Sequence, residues 1–351
     1  MTVTTPVPRR PRALPALALA AVVALSGCAS PDGADPEGAP EGPAADLLPA
    51  AEGTTEYPLT LTTWAGETVL EERPERVAVI GFSPNLDALE AIGATPVYAL
   101  SDEDWEWRDP EWLSGVEVVD TATRRDPLNF EGIAASAPDL IVAANFIFDE
   151  NDYERLSDIA PVLDNPEQVE GDQIDWRETQ RMVGEALDLG AAAEEAIDGA
   201  EQAVGAVAAE HPEFAGRTIT IAYDYAETGM DYYTVTGGTA EGIVGQLGFE
   251  PNPLAEEFVA DPGVSEERLG LLDADLLVVF YNNDADRRAR EEGELFRTLA
   301  PVAEDRYVSV LSDEEGSGGN ATWVLRRGAS ALSVPWAVEV VAGWAEEVDL
   351  A

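Results

Sequence analysis

The chain of 351 residues has no lysine, one cysteine and one histidine. Each shortage removes a class of function. All twenty cations are arginines, set against 69 acids, and the net charge is -49. Such a surface repels phosphate backbones, so nucleic acid is excluded as a partner. It suits a protein kept hydrated, and apart from its own copies, in a salty medium. A lone cysteine, Cys28, builds neither an internal disulfide framework nor a cysteine-rich metal site. A lone histidine, His211, argues against zinc and manganese sites built on several histidines. It argues equally against a histidine-dependent hydrolase. It precedes Pro212 and reads as the end of a helix. TGGTAEG has glycines but not the lysine of a phosphate-binding loop. Acids are so abundant that no pair stands out as a glycosidase couple.

Long hydrophobic runs are also scarce. The one near the N-terminus spans Leu14 to Leu25, interrupted by Pro15, and is too short for a comfortable membrane span. Arg9, Arg10 and Arg12 precede it as a positive region. Leu25-Ser26-Gly27-Cys28 follows it and resembles a bacterial lipobox. Residues 1–27 are then a signal peptide cleaved just before Cys28, whose thiol receives lipid. Both the general and the twin-arginine export routes remain open. Residues 28–56 are rich in Pro, Gly, Ala and acid, with little to bury. They are expected to form a disordered tether behind the anchor.

The rest alternates between buried strands and helices. YPLTLTTWAGETVL reads as a hairpin, and RVAVIG, SPNLDALEAIG and PVYAL as a strand, helix and strand. Ser83 is the expected cap of that helix, with Pro84 in its first turn. VEVVD, NFEGIAASAPDLIVAAN and YERLSDIAPVLD continue the pattern, giving an α/β lobe over 57–170. Residues 171–212 favour one long helix, or two broken near Leu189-Gly190. A second α/β lobe over 213–351 begins with the strand RTITIAY and ends with the helix ALSVPWAVEVVAGWAEEV. The lobes echo one another. SAPDLIVAAN matches LDADLLVVFYN, LSDIAPV matches FRTLAPV, and SPNLDALEAIGATP matches TAEGIVGQLGFEP.

RPERVAVIGFSPNLDALEAIGATPV, NFEGIAASAPDLIVA, YERLSDIAPVL, the long middle helix and ALSVPWAV, in this order and spacing, resemble the iron-siderophore substrate-binding lipoproteins of ABC importers. That group also contains vitamin B12 and haem binders. The resemblance covers essentially the whole chain from Cys28. It implies an α/β fold of two Rossmann-like lobes joined by a long helix, with ligand held between them. It implies capture of a ferric siderophore outside the membrane and delivery to an ABC importer permease, without covalent chemistry. No directly bound cofactor is expected, and ferric iron enters only inside the siderophore. A monomer on the extracytoplasmic face of the cell membrane is expected. Haem or cobalamin is the alternative cargo, and an anchored enzyme or an adhesion domain the alternative class.

Ligands in open α/β sheets sit beyond the carboxyl ends of strands. That selects Phe82, Asn145, Tyr225, Tyr281 and Asn282. Trp105, Trp107 and Arg108 lie in an acidic segment after PVYAL, where the tryptophans either cover the lobe or stack on ligand. An anionic complex needs cations, and Arg108, Arg124, Arg125, Arg326 and Arg327 are the candidates, with Trp323 beside the last two. The resemblance also implies one docking acid on the first helix of each lobe, paired with arginines of the permease. The matching positions are Asp87 and Glu241, and Asp87 is shorter than the glutamate usual there.

Overall fold

The computed structural model describes residues 47–100, 105–121, 127–146, 149–167, 175–312, 314, 316 and 318–350. The expected signal peptide, Cys28 and most of the expected tether lie outside them, as do Arg124 and Arg125.

Strands β1 (Leu59–Thr63) and β2 (Gly66–Leu70) form the expected hairpin, antiparallel from Leu59 opposite Leu70. The first lobe then follows in chain order. β3 (Val77–Val79), α1 (Ser83–Glu90), β4 (Tyr98–Leu100) and α2 (Pro110–Leu113) come first. β5 (Val118–Asp120), α3 (Phe130–Ala135), β6 (Leu140–Val142), α4 (Glu150–Ser157) and β7 (Val162–Leu163) complete it. The sheet order is β5-β4-β3-β6-β7, all parallel. Its two faces feed two cores. Val77, Val79, Leu140 and Val142 point to one, while Ala78, Ile80 and Ile141 point to the other. Strands covered on both faces read as continuous apolar runs, which is why they were legible.

The middle segment is two helices, α5 (Trp176–Ala186) and α6 (Gly190–Glu210). The break falls at Leu187–Leu189, where Asp188 adopts φ +52°. α5 packs on α1, and α6 packs on both α5 and the last helix of the chain, so the pair bridges the lobes. His211 closes α6 and stacks on Phe214 at 4.9 Å.

One expectation is corrected here. The last ten residues of the expected tether, from Leu47, are bound to this break rather than disordered. Asp188 accepts the backbone N–H groups of Gly53, Thr54 and Thr55, each at 2.8 Å. Those bonds, Thr55 first, hold its carboxyl down at about 2. Glu52 accepts from Ala191 and Ala192 at the start of α6, where a helix end welcomes a carboxylate. Arg73 bonds the carbonyls of Leu187 and Pro49. The polar composition suggested disorder, but these acids serve as acceptors for partners more than a hundred residues away.

The second lobe holds β8 (Ile219–Asp224), β9 (Met230–Tyr232), α7 (Thr239–Gln246), β10 (Gly263–Val264) and β11 (Leu276–Tyr281). α8 (Asp284–Glu291), α9 (Ala300–Ala303), β12 (Tyr307–Leu311), α10 (Ala321–Trp323) and α11 (Ser333–Glu347) follow. A π-helical turn, Val324–Gly328, continues α10. The sheet order is β10-β9-β8-β11-β12. β8, β11 and β12 are parallel, while β9 and β10 add an antiparallel edge. The segment before β11 is a 3-10 helix, Glu266–Leu272. All described residues belong to one unit, Ala45–Ala351.

Candidate functional site

The carboxyl ends of the strands deliver the site. Phe82 follows β3, Asn145 and Phe146 follow β6, and Trp105 lies beyond β4. From the second lobe come Tyr225 after β8, Asn282 after β11, and the turn that carries Trp323, Arg326 and Arg327.

The two sets meet along an aromatic seam. Phe82 packs edge-on against Phe146 at 5.4 Å and against Trp323 at 5.0 Å. Trp105 stacks on Trp107 at 4.9 Å and faces Trp323 at 6.2 Å. Trp107 reaches Trp336 of α11 at 5.1 Å. Polar bonds cross the same seam. Trp323 Nε1 donates to Ser83 Oγ at 2.7 Å, and Asn320 Nδ2 to Glu106 at 2.7 Å. Ser83 is therefore not the expected cap. Phe82 occupies the cap position, and the Ser83 hydroxyl instead holds the opposite lobe. Trp107 packs against the second lobe's core and Trp112 against the first lobe's.

Trp323 packs closely against Gly328. A Cβ on that glycine would lie 2.2 Å from Trp323 Cδ1. In a π-turn the hydrogen-bonding pairs are five residues apart, which brings 323 and 328 together. A glycine was needed there for reasons no local pattern displays.

Polar groups at the strand ends include two that are not satisfied. Asn145 is held at φ +56° while its N–H donates to Asp164. It is buried, and its Oδ1 has no hydrogen-bond partner among the described residues. The buried indole N–H of Trp105 is in the same position. Buried polar atoms seldom stay unpaired in a finished structure, so both suit contact with a ligand. Burial pushes the Asp164 carboxyl up to about 6, against the opposing bonds from Asn165, Trp64 and Asn145.

On the second lobe, Tyr223 stacks on Tyr225 at 4.2 Å, and its hydroxyl lies 2.9 Å from Ser312 and 3.2 Å from Asn282. The hydroxyls of Tyr225 and Tyr233 share a short hydrogen bond. Arg326 NH1 lies 3.3 Å from the Tyr225 hydroxyl, with the guanidinium 5.2 Å from the centre of the Tyr233 ring. Tyr233 was missed in the sequence because it follows β9, a strand of three residues that carries no periodic signal. Arg327 is half-buried on the same turn.

Three expected site residues are placed elsewhere. Tyr281 is fully buried, bonded through its hydroxyl to that of Tyr307 at 2.8 Å. Strand parity explains it. Successive residues face opposite sides, so Phe280 enters the α11-side core and Tyr281 the other. Asn282, one step on, is exposed and reaches Tyr223. Arg108 is buried in a structural ion pair with Asp87 and lies 3.6 Å from Glu90, so it does not serve as a cleft cation. Asp87, expected as a docking acid at the surface, is wholly buried. Trp107 Nε1 donates to it at 3.0 Å, and Ser330 Oγ of the second lobe at 2.7 Å. It braces the lobes and offers nothing to an outside partner. Glu241 is half-buried, and its Oε2 accepts from the N–H of Gly237, just before α7, at 2.7 Å.

Glu90 gives this region a pH signature. Burial pushes its carboxyl from 4.5 up to about 7, against the opposing bond from Asp109 and the charge of Arg108. The folded chain therefore keeps a proton that the unfolded chain loses near 4.5. Stability linked to this group is full below about 4.5 and is lost as pH rises through about 7. Urea midpoints of the wild type should rise between pH 7.5 and 5.5. Glu90→Gln should flatten that rise. An unchanged slope in the variant would assign it to relief of the overall negative charge instead.

A family model described as periplasmic binding protein matches residues 79–293. No curated protein matches the chain. Among solved structures, a periplasmic solute binding protein from Mycobacterium smegmatis is similar, at 24% identity and a TM-score of 0.63. The match covers 83% of this chain and 98% of that one. Streptococcus pneumoniae PiaA, solved in complex with ferrichrome, is similar at 22% identity and a TM-score of 0.67, covering 82% and 98%. Staphylococcus aureus SirA, complexed with staphyloferrin B, is similar at 19% identity and 0.65, covering 82% and 98%. At these identities the likeness is one of fold.

Proposed function

This chain belongs to the periplasmic binding protein family, and we propose that it captures a ferric siderophore outside the membrane and delivers it to an ABC importer. The observation that carries the reading is the junction between the lobes. Aromatic faces, two buried polar groups with no partner among the described residues, and an arginine–tyrosine cluster gather at the strand ends, where a large, partly apolar chelate would be held. Support comes also from similar folds solved with ferrichrome and with staphyloferrin B. Iron in this reading is cargo, carried inside its chelator.

Cys28 would carry the lipid that keeps the binder at the extracytoplasmic face, close to its permease. Of the two acids expected to dock, Asp87 is withdrawn by its burial, and Glu241 keeps partial exposure at the start of α7.

The experiment begins with the full chain expressed with its leader. The wild type should sediment with membranes, and Cys28→Ser should release it. The purified protein is then titrated with ferric siderophores, haem and cobalamin while tryptophan emission is recorded. Trp105, Trp107 and Trp323 line the seam, so saturable quenching by at least one ferric siderophore is expected. Silence towards all of them, with no coloured ligand co-purifying, would sink the proposal. Saturation by haem or cobalamin alone would change the cargo and keep the family role.

A further inference from the structure

Asp164 directly follows β7 and is 1% exposed. Among the described residues this buried carboxylate forms no ion pair. Three N–H groups hold it instead. Its Oδ1 accepts from the backbone of Asn145 at 2.9 Å and of Asn165 at 2.7 Å, and its Oδ2 from the indole of Trp64 at 2.8 Å. The donors come from three places: the end of β6, the end of β7 and the tip of the β1–β2 hairpin. That hairpin belongs to neither five-stranded sheet. Its tip is nonetheless fastened twice, because Trp64 N also donates to the Asn165 carbonyl at 2.8 Å. Trp64 packs edge-on against Tyr153 at 5.3 Å, whose hydroxyl lies 2.9 Å from that of Thr63.

The carboxylate fixes the amide of Asn145. This residue adopts φ +56°, a left-handed conformation that asparagine tolerates better than most side chains. It precedes Phe146 of the aromatic seam. The bond from its N–H to Asp164 holds that conformation and so sets where its side chain leaves the backbone. Asn145 Oδ1 is buried with no partner among the described residues, and so is Oδ1 of Asn165. Two open acceptors, both tied through their N–H groups to one carboxylate, are costly unless something meets them. An N–H or O–H of the cargo would do so. Asp164 must accept on both oxygens to hold the arrangement. An asparagine in its place offers one accepting oxygen and a donating amide. It could not serve the two backbone N–H groups on one side and the indole on the other.

We propose that Asp164 is a positioning residue for the cargo: by tying Asn145 to the tip of the hairpin, it aims the Asn145 amide oxygen at a hydrogen-bond donor of the bound chelate. The inference rests on the siderophore reading above. It adds to the groups that set affinity a residue that need not touch cargo itself.

The test is a double-mutant cycle in binding, on the full mature chain at neutral pH. The probe is whichever of two ferric chelates, ferrichrome (a trihydroxamate) or a tris-catecholate, wild type binds more tightly. Asn145→Ala should weaken binding about tenfold, and Asp164→Asn by about as much. In the Asn145→Ala background, Asp164→Asn should cost less than about twofold, because the group it orients is gone. Trp64→Phe keeps a ring and removes one donor. It should weaken binding about threefold, again only while Asn145 is present, and it takes the place of Asp164→Asn should that variant fail to fold. A merely structural Asp164 would cost as much in both backgrounds, and that result overturns the positioning role. Undiminished affinity in Asn145→Ala takes the amide away from the cargo and overturns it too. Both results leave the siderophore reading intact. Failure of wild type to bind either chelate removes that reading, and the positioning role with it.

Discussion

Replacing Asp87 with alanine should lower folding stability by about 3–5 kcal/mol, the range for removing one partner of a buried ion pair. Asp87 is fully buried, and Arg108 beside it is only 7% exposed. The carboxylate accepts from Arg108, Trp107 and Ser330. Truncation would leave a guanidinium in the interior without this carboxylate, with Glu90 at 3.6 Å among its described neighbours. It would also strip acceptors from an indole and from a hydroxyl of the opposite lobe. Asp87→Asn keeps the shape but removes the charge, so it should fall between wild type and alanine. Urea denaturation read by tryptophan emission measures all three. A loss below about 1 kcal/mol for the alanine variant would be what an exposed pair gives, and would contradict the buried brace.

Gly328→Ala is the second large effect. The new methyl would overlap Trp323, and overpacking of this kind costs about 1–3 kcal/mol. The indole must move, and with it go the bond to Ser83 and the contacts with Phe82 and Trp105. A double-mutant cycle isolates the cause. In a Trp323→Ala background the same Gly328→Ala change should cost little, because the overlap is gone. Equal cost in both backgrounds would place the strain in the backbone and not in the indole.

The expected fold and the observed one agree where burial is continuous along the chain. VAV, LIV and LLVVFY are strands covered on both faces, and such runs need no knowledge of their neighbours. The helices with apolar periodicity or clear caps were equally legible. What escaped was short or wholly polar. β9 and β10 are three and two residues long. α8 reads DADRRARE and buries no residue, so it presents no apolar face to detect. The site was readable only in part. Strand ends pointed to Phe82, Asn145 and Tyr225. Parity removed Tyr281, because one residue along a strand is the difference between one face and the other.

Charge was the weaker guide. Nothing in the sequence distinguishes Arg108 from Arg326, yet one is locked against Asp87 and the other lies over a tyrosine ring. The same holds for the acids. Asp87 and Asp188 are two among 69 acids, one bracing the lobes and the other clasping the segment before the first strand.

The sequence by itself determined the lack of lysine, the lone cysteine within a lipobox-like run, and the alternation that commits the chain to two α/β lobes. These are properties of composition and of local period, which need no partner in space. Tertiary structure alone decided which tryptophans meet across the seam, which carboxylate is buried between lobes, and which tyrosines gather around Arg326. Those outcomes depend on contacts between residues far apart in the chain, 93 positions for Tyr233 and Arg326 and 243 for Asp87 and Ser330. A side chain's role there is set by the neighbour it meets, and the chain's order does not record that.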